Sequence, residues 1–281
     1  MRARQPWLWL GFGFCLAGLG LTPAWAGVSD PFPQPAASYL LMLQGETLWA
    51  RQPTRPLPPA SLTKIMTALL VLERNRPEDL VTASTAAADE TGAQLGLKPG
   101  EQMRVADLLA ATLLTSANDA CHALADHFAG SESQFVALMN RRAQTLGLAQ
   151  TRFRNACGHD QPGHQSSAQD LAVLAQVAMN QPAFASLVAT VRMTVSTVNN
   201  SRSFQLENKN ELVGRYPGAI GIKTGFTVKA GKCVVAVAER DGRRALLVLL
   251  NAPDRWWTAV AMLDRAFSDH AQVPQAGAPS P

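Results

Sequence analysis

Ser61-Leu-Thr-Lys64, Ser116-Ala-Asn118 and Lys223-Thr224-Gly225 follow one another along the chain in that order. Their residue types could together supply a nucleophile, a base, a proton relay and a carboxylate clamp, the parts of an acyl-transfer reaction. A serine hydroxyl attacks poorly until a neighbour takes its proton. Lys64 can do so only when neutral, so its pKa must fall from about 10.4 towards about 7. Burial in an apolar helix and a second cation, for which Lys223 is the candidate, would both push it down. Ser61 and Lys64 stand three apart at a helix start and share one face. The first N–H groups of that helix could stabilise a tetrahedral oxyanion. Ser116 is then placed to pass the proton between Lys64 and a leaving amine, and Asn118 offers an amide to a substrate backbone. Lys223 and Thr224 offer charge and a hydroxyl to a free carboxylate. Gly225 lets a peptide lie close along a strand edge.

Each motif alone has a plainer reading. Ser61 could be a helix N-cap, Ser116-Ala-Asn118 a turn between helices, and Lys223-Thr224-Gly225 a strand end. Their joint occurrence in this order has a chance probability well below ~1%, because one reaction needs all three.

The elements that must position them follow from periodicity. Tyr39–Leu43 and Thr47–Ala50 flank Gln44-Gly45-Glu46 and read as a β-hairpin. A helix is expected from about Ser61 to Arg74, and its stretch Ile65–Leu72 is apolar nearly all round, as in a buried central helix. Thr82–Leu97 reads as a polar loop-and-helix region. Helical patterns cover Val105–Leu114, Asp119–Phe128, Phe135–Leu146 and Asp170–Met179. The last third changes period. Ala219–Thr224, Lys232–Glu239 and Arg244–Leu250 read as strands, the last two joined by Asp241-Gly242, a two-residue hairpin signal. Asp254–Phe267 closes as a helix. Strands at both ends with helices between imply one sheet built from distant segments with a helical lobe, about 75–205, inserted.

The chain has 281 residues and a formal charge of +4. Arg2 and Arg4, the charge-free run Trp7–Leu21 and Ala24-Trp25-Ala26 match an export signal, residues 1–26, cleaved after Ala26. A retained anchor is the alternative, although the run is short for a bilayer span of ~20 residues. No acid lies in that segment, so its loss leaves +2 and a remainder, 27–271, that suits one domain with an inserted lobe. The reading is a periplasmic enzyme with no stable membrane anchor and a disordered tail at 272–281. No long basic run points to nucleic acid. Beyond the signal stand Cys121, Cys157 and Cys233. Small buried side chains are the favoured reading, and one bridge with a leftover thiol the other. The five histidines form no ligand pattern, so neither metal nor cofactor is expected.

With these residues in view, the chain resembles the low-molecular-mass penicillin-binding proteins, the serine D-Ala-D-Ala carboxypeptidases of peptidoglycan. The resemblance extends through Pro59–Thr67, Ser116–Cys121, Phe135–Asn140 with Leu146–Leu148, Gly163–Ala168 with Asp170–Ala172, and Gly221–Thr227 with Ala230-Gly231. It implies an α+β fold of the β-lactamase/transpeptidase type, a five-stranded antiparallel sheet flanked by helices with an α-rich lobe. It implies Ser61 as the acylated residue, Lys64 as base, Ser116 and Asn118 as the second motif, and Lys223 and Thr224 on the terminal D-Ala carboxylate. The N–H groups of Ser61 and Phe226 would form the oxyanion hole, and Lys209 stands where relatives carry an arginine near the substrate carboxylate. Peptidoglycan stem peptides would be the substrates and β-lactams covalent inhibitors.

A β-lactamase shares the motifs but needs a carboxylate-activated water. No glutamate lies between Glu132 and Glu207, and only Asp160 and Asp170 remain there, Asp170 reading as a helix cap or ion-pair partner. Slow release of β-lactams is therefore expected. Endopeptidase cleavage of D-alanyl-diaminopimelate crosslinks is the alternative within the family. The extra β-rich domain and C-terminal amphipathic helix of membrane-held relatives are not expected here. A non-catalytic wall-binding module would tolerate loss of Ser61, Lys64 or Lys223, and all three are present.

Overall fold

The structure is a computed structural model that describes residues 30–74 and 76–269. The expected export segment and tail lie outside the described residues. The chain enters through the hairpin β1 (Ser38–Leu43)–β2 (Glu46–Arg51) and the helix α1 (Lys64–Arg74). Short elements follow: β3 (Leu80–Thr82), α2 (Thr85–Ala88), β4 (Gln102–Arg104) and α3 (Val105–Ala110). Then come α4 (Asn118–Ala129), α5 (Glu132–Thr145), α6 (Ala168–Met179), α7 (Pro182–Ala189) and a hairpin β5 (Arg192–Ser196)–β6 (Ser203–Glu207). The chain ends in β7 (Ala219–Thr227), β8 (Gly231–Arg240), β9 (Arg243–Leu250) and α8 (Arg255–Asp269).

The main sheet is antiparallel in the order β2-β1-β9-β8-β7. Alternation along β9 explains its two covered faces. Leu246, Val248 and Leu250 join the cluster that holds α1, α4 and α6, whereas Ala245, Leu247 and Leu249 pack with Met262, Leu263 and Phe267 of α8. The two-residue turns need left-handed backbone, which Gln44 and Gly45 (φ 53° and 85°) and Asp241 and Gly242 (φ 49° and 70°) adopt. β7 is left at the sheet's edge, and this edge carries the third motif.

Four expectations are corrected. The helix expected from Ser61 begins at Lys64, preceded by a 3-10 turn, Ala60–Thr63. Ala60 takes a positive φ of 50° after Pro59, and the Thr63 hydroxyl donates to the Ala60 carbonyl at 2.8 Å, which tightens the turn. Two small hairpins, β3–β4 and β5–β6, and α7 were not anticipated. Asp170 does not cap α6 and pairs with no cation among the described residues; Ser167 is the cap, and Asp170 accepts from Gln150 N–H and the Thr151 hydroxyl. Finally, Cys121 and Cys157 form a disulfide, and only Cys233 of the three is a free buried thiol. A cross-link across 36 residues removes about 4 kcal/mol of unfolded-chain entropy in the loop-closure model.

Candidate active site

In a 3-10 turn, side chains three apart eclipse one another. Ser61 lies in that turn and Lys64 ends it, so the Lys64 Nζ comes to 3.0 Å from Ser61 Oγ. The turn is held from beneath. His164 accepts Arg154 N–H at Nδ1 and therefore carries its proton on Nε2, 2.8 Å from the Thr63 hydroxyl, which donates to Ala60. Burial, the largest cause, pushes the His164 imidazole down to about 4, which keeps this neutral tautomer at neutral pH.

Lys64 is fully buried and has two further partners, Asn118 Oδ1 at 2.7 Å and the Cys157 carbonyl at 2.6 Å. Burial pushes its amine from 10.5 down to about 7; Glu90 opposes this, Lys209 adds to it and Asp119 opposes it. Lys209 thus adds to the effect of burial, and Lys64 and Lys223 repel each other's charged forms, as the sequence suggested. A neutral amine has two N–H bonds and one lone pair. With Asn118 and Cys157 taking the N–H bonds, the lone pair is left for the Ser61 hydroxyl.

Asn118 opens α4 and ties Lys64 to the preceding loop, because its Nδ2 donates to the Thr91 carbonyl at 2.5 Å. Its Oδ1 and one Nδ2 N–H are engaged within the protein, and its side chain also lines the cavity over Ser61, with the second Nδ2 N–H unpartnered among the described residues. Ser116 ends a five-residue π turn with a left-handed φ of 63°, a conformation that collects at functional sites. No hydrogen bond among the described residues occupies its hydroxyl, and it makes none with Lys64.

The third motif packs directly onto the serine turn. A Cβ on Gly225 would lie 3.0 Å from Ala60 Cβ and 3.1 Å from Ser61 N. Gly225 is therefore required for the approach of β7 to Ser61, a tighter reason than room for a peptide. Gly158 closes the other side: its Cβ would lie 2.1 Å from the Ala60 carbonyl oxygen, at φ 92°. Sequence reasoning missed Gly158, and nothing in its spacing marks it.

A cavity of about 280 Å³ opens over Ser61, between the Thr91–Ala93 loop, Ser116 and Asn118 on one side and Thr224–Thr227 on the other. His159, Lys209 and Arg255 also line it. Lys223 is buried on the face of β7 that packs towards α1, its Nζ donating to the Thr224 carbonyl at 3.0 Å. Burial first, then Lys64, Lys209 and Arg255, hold Lys223 well below the usual lysine range. Four basic groups, Lys64, Lys209, Lys223 and Arg255, thus converge on one small space, and an entering anion would favour their charged forms. Arg255 was not singled out from the sequence. Its Nη1 donates to the Gly225 and Cys233 carbonyls, and its buried Nε has no partner among the described residues. Phe226 is 62% exposed at the cavity's edge.

Carboxylates near the site are already engaged. Burial opposes ionisation of Glu90, but hydrogen bonds from His122 and His159 outweigh it and hold its carboxyl at about 2. Asp160 accepts from the Thr227 hydroxyl and Lys229 N–H. Glu90, His122 and Glu132 bring one possible metal-ligand atom each within 4.8 Å of the others. Glu90 and His122 bond to each other, and Glu132 accepts Ala156 N–H.

Residues 28–254 match the family model described as D-alanyl-D-alanine carboxypeptidase. The D-alanyl-D-alanine carboxypeptidase DacF of Bacillus subtilis is 37% identical over 238 residues, 82% of this chain and 61% of the relative. The chain thus spans about three fifths of that relative's length. DacB2 of Mycobacterium tuberculosis, also named a D-alanyl-D-alanine carboxypeptidase, is 34% identical with 87% of both chains covered. The crystal structure of the Streptomyces K15 DD-transpeptidase superposes with a TM-score of 0.80 at 30% identity, covering 86% of this chain and all of the other.

Proposed function

The chain belongs to the D-alanyl-D-alanine carboxypeptidase family of serine peptidases, and on that premise we propose that it removes the terminal D-alanine from peptidoglycan stem pentapeptides through an acyl-enzyme on Ser61. One observation carries the reading: a buried amine aimed at a serine hydroxyl beneath a cavity lined by the basic groups Lys209 and Arg255. The substrate's free carboxylate enters beside Thr224, Lys209 and Arg255, with Lys223 behind them, and supplies the negative charge that this cluster lacks. The scissile carbonyl then lies over Ser61. Lys64 takes the hydroxyl proton as the Ser61 oxygen attacks, and the N–H groups of Ser61 and Phe226 receive the oxyanion. Ser116, whose hydroxyl is free, passes the proton to the departing D-alanine amine. Water then hydrolyses the ester.

A β-lactam carries a comparable carboxylate and cyclic amide and acylates the same serine. Its release is slow, because Glu90 is held by two histidines and Asp160 by Thr227 and Lys229, which leaves neither carboxylate free to activate a water. The Cys121–Cys157 bond supports export to an oxidising compartment, the periplasm. Among the described residues no single helix is long and apolar enough to cross a bilayer.

Digestion of purified muropeptides tests the reading. Monomeric pentapeptides are expected to yield tetrapeptides and free D-alanine, and Ser61→Ala to yield none. Cleavage of crosslinked dimers with pentapeptides left intact would assign the endopeptidase reaction instead. No action on either would refute both.

A further inference from the structure

The segment Asn155–Gly158 crosses the back of the site with no strand or helix of its own. It nevertheless supplies two things the chemistry uses. The Cys157 carbonyl takes one N–H of Lys64, and Gly158 is wedged against the serine turn. Its remaining anchors are side chains: Thr67 donates to the Ala156 carbonyl, Glu132 accepts Ala156 N–H, and Asn155 accepts from Gly158 and His159. The covalent anchor is the disulfide to Cys121, which lies on α4 three residues after Asn118.

The two groups that hold the Lys64 amine therefore sit on two elements joined by one S–S bond. Asn118 Oδ1 comes from the first residue of α4, and the Cys157 carbonyl belongs to the bridged residue itself. The Cα atoms of the pair are 5.9 Å apart, and both side chains are buried. Fixing that separation fixes the two acceptors, and so the direction left for the lone pair.

We propose that the Cys121–Cys157 disulfide is a positioning device for Lys64, which couples acylation of Ser61 to the oxidation state of this pair. The inference rests on the acyl-enzyme reading above. Two electrons and two protons pass from a dithiol reductant, itself oxidised to a disulfide, and convert the S–S bond to two thiols. The loop is then held by hydrogen bonds and by the packing of Ala156 and Cys157 alone. The Cys157 carbonyl withdraws from Lys64, and the amine samples orientations in which Ser61 does not face its lone pair. Misplacement by about 1 Å can cost a reaction as much as 10²-fold.

The test measures acylation by a fluorescent penicillin, with the acylation rate constant and the preceding dissociation constant separated. It compares the oxidised protein, the same protein refolded in a dithiol, and Cys121→Ala/Cys157→Ala. Circular dichroism reports the folded fraction below each protein's unfolding temperature. The expected result is a fall of about tenfold or more in the rate constant per folded molecule, with the dissociation constant little changed. The deficit should persist at alkaline pH, because orientation and not protonation is lost, and re-oxidation should restore the rate of the reduced protein. Should the double variant not fold, the reduced protein decides. An unchanged rate per folded molecule, with only a lower unfolding temperature, would show that the bond merely stabilises the fold. No labelling of the oxidised protein would instead refute the acyl-enzyme reading itself.

Discussion

Replacing Lys64 by methionine is expected to lower the rate of Ser61 acylation by about 10³-fold or more, the upper part of the range for loss of a general base. Methionine keeps most of the lysine stem's volume in a site without solvent contact, so packing of α1 is retained. What disappears is the acceptor for the serine proton, together with the N–H bonds to Asn118 and Cys157. Those two oxygens lose a partner, which costs ~1–3 kcal/mol each, offset by no longer burying an amine. Stopped-flow labelling with a fluorescent penicillin gives the rate, and circular dichroism the fold. Acylation within a few-fold of the unmodified protein would mean that another group takes the proton.

Gly158→Ala should be nearly as damaging, although the residue carries no chemistry. The added Cβ would stand 2.1 Å from the Ala60 carbonyl oxygen and 2.8 Å from Ser61 N, contacts that real structures do not contain. Both neighbours are backbone, so no side chain can swing away. Either the turn shifts, and Ser61 with it, or the 155–158 segment lifts and takes the Cys157 carbonyl from Lys64. An acylation loss of roughly 10²-fold is expected. A stability loss of roughly 2–5 kcal/mol, from overpacking and left-handed strain together, should accompany it. Gly147→Ala is the control, because Gly147 also has a positive φ (70°) but open space around its Cβ. It should show the strain alone in thermal denaturation, with acylation unchanged. Equal acylation rates for the two variants would contradict the wedge.

Much of this site was legible in the sequence because its chemistry is local. Ser61 and Lys64 are one turn apart, so their contact follows from any helical geometry. The strands of the last third advertise themselves as continuous apolar runs, Cys233–Ala238 and Ala245–Leu250, and Asp241-Gly242 by its need for positive φ. What the chain concealed is non-local. The partners of Lys64 lie 54 and 93 residues away, and one of them is a backbone carbonyl, which no residue type reveals. Hence the bond from Lys64 to Asn118 was not legible, although the cavity-lining position of Asn118 agrees with its expected place beside substrate. The bridge between Cys121 and Cys157 depends on a fold that three scattered cysteines do not specify. Arg255 lies at the start of α8, where its composition suggests only a surface helix, yet the return of β9 beside β8 brings it under Gly225. The strands β5 and β6 do alternate polar and apolar residues, but over only five residues each, a usable period-2 signal too short to stand out. Pro182 at the first turn of α7 was a usable start signal.

The account stands on an amine at Lys64 whose pKa lies near 7, so that a substantial fraction is neutral at neutral pH, and the pH dependence of acylation reads this directly. The second-order rate constant for labelling by a fluorescent penicillin reports the free enzyme, before any carboxylate has entered the cluster of basic groups. Measured from about pH 5 to about pH 10, it should rise tenfold per unit below the pKa of the base. It should bend near pH 7, where Lys64 loses its proton, and stay level above. A rate that keeps climbing towards the ordinary lysine value of 10.5 would contradict the account, since Lys64 would then be a charged residue that happens to touch a serine.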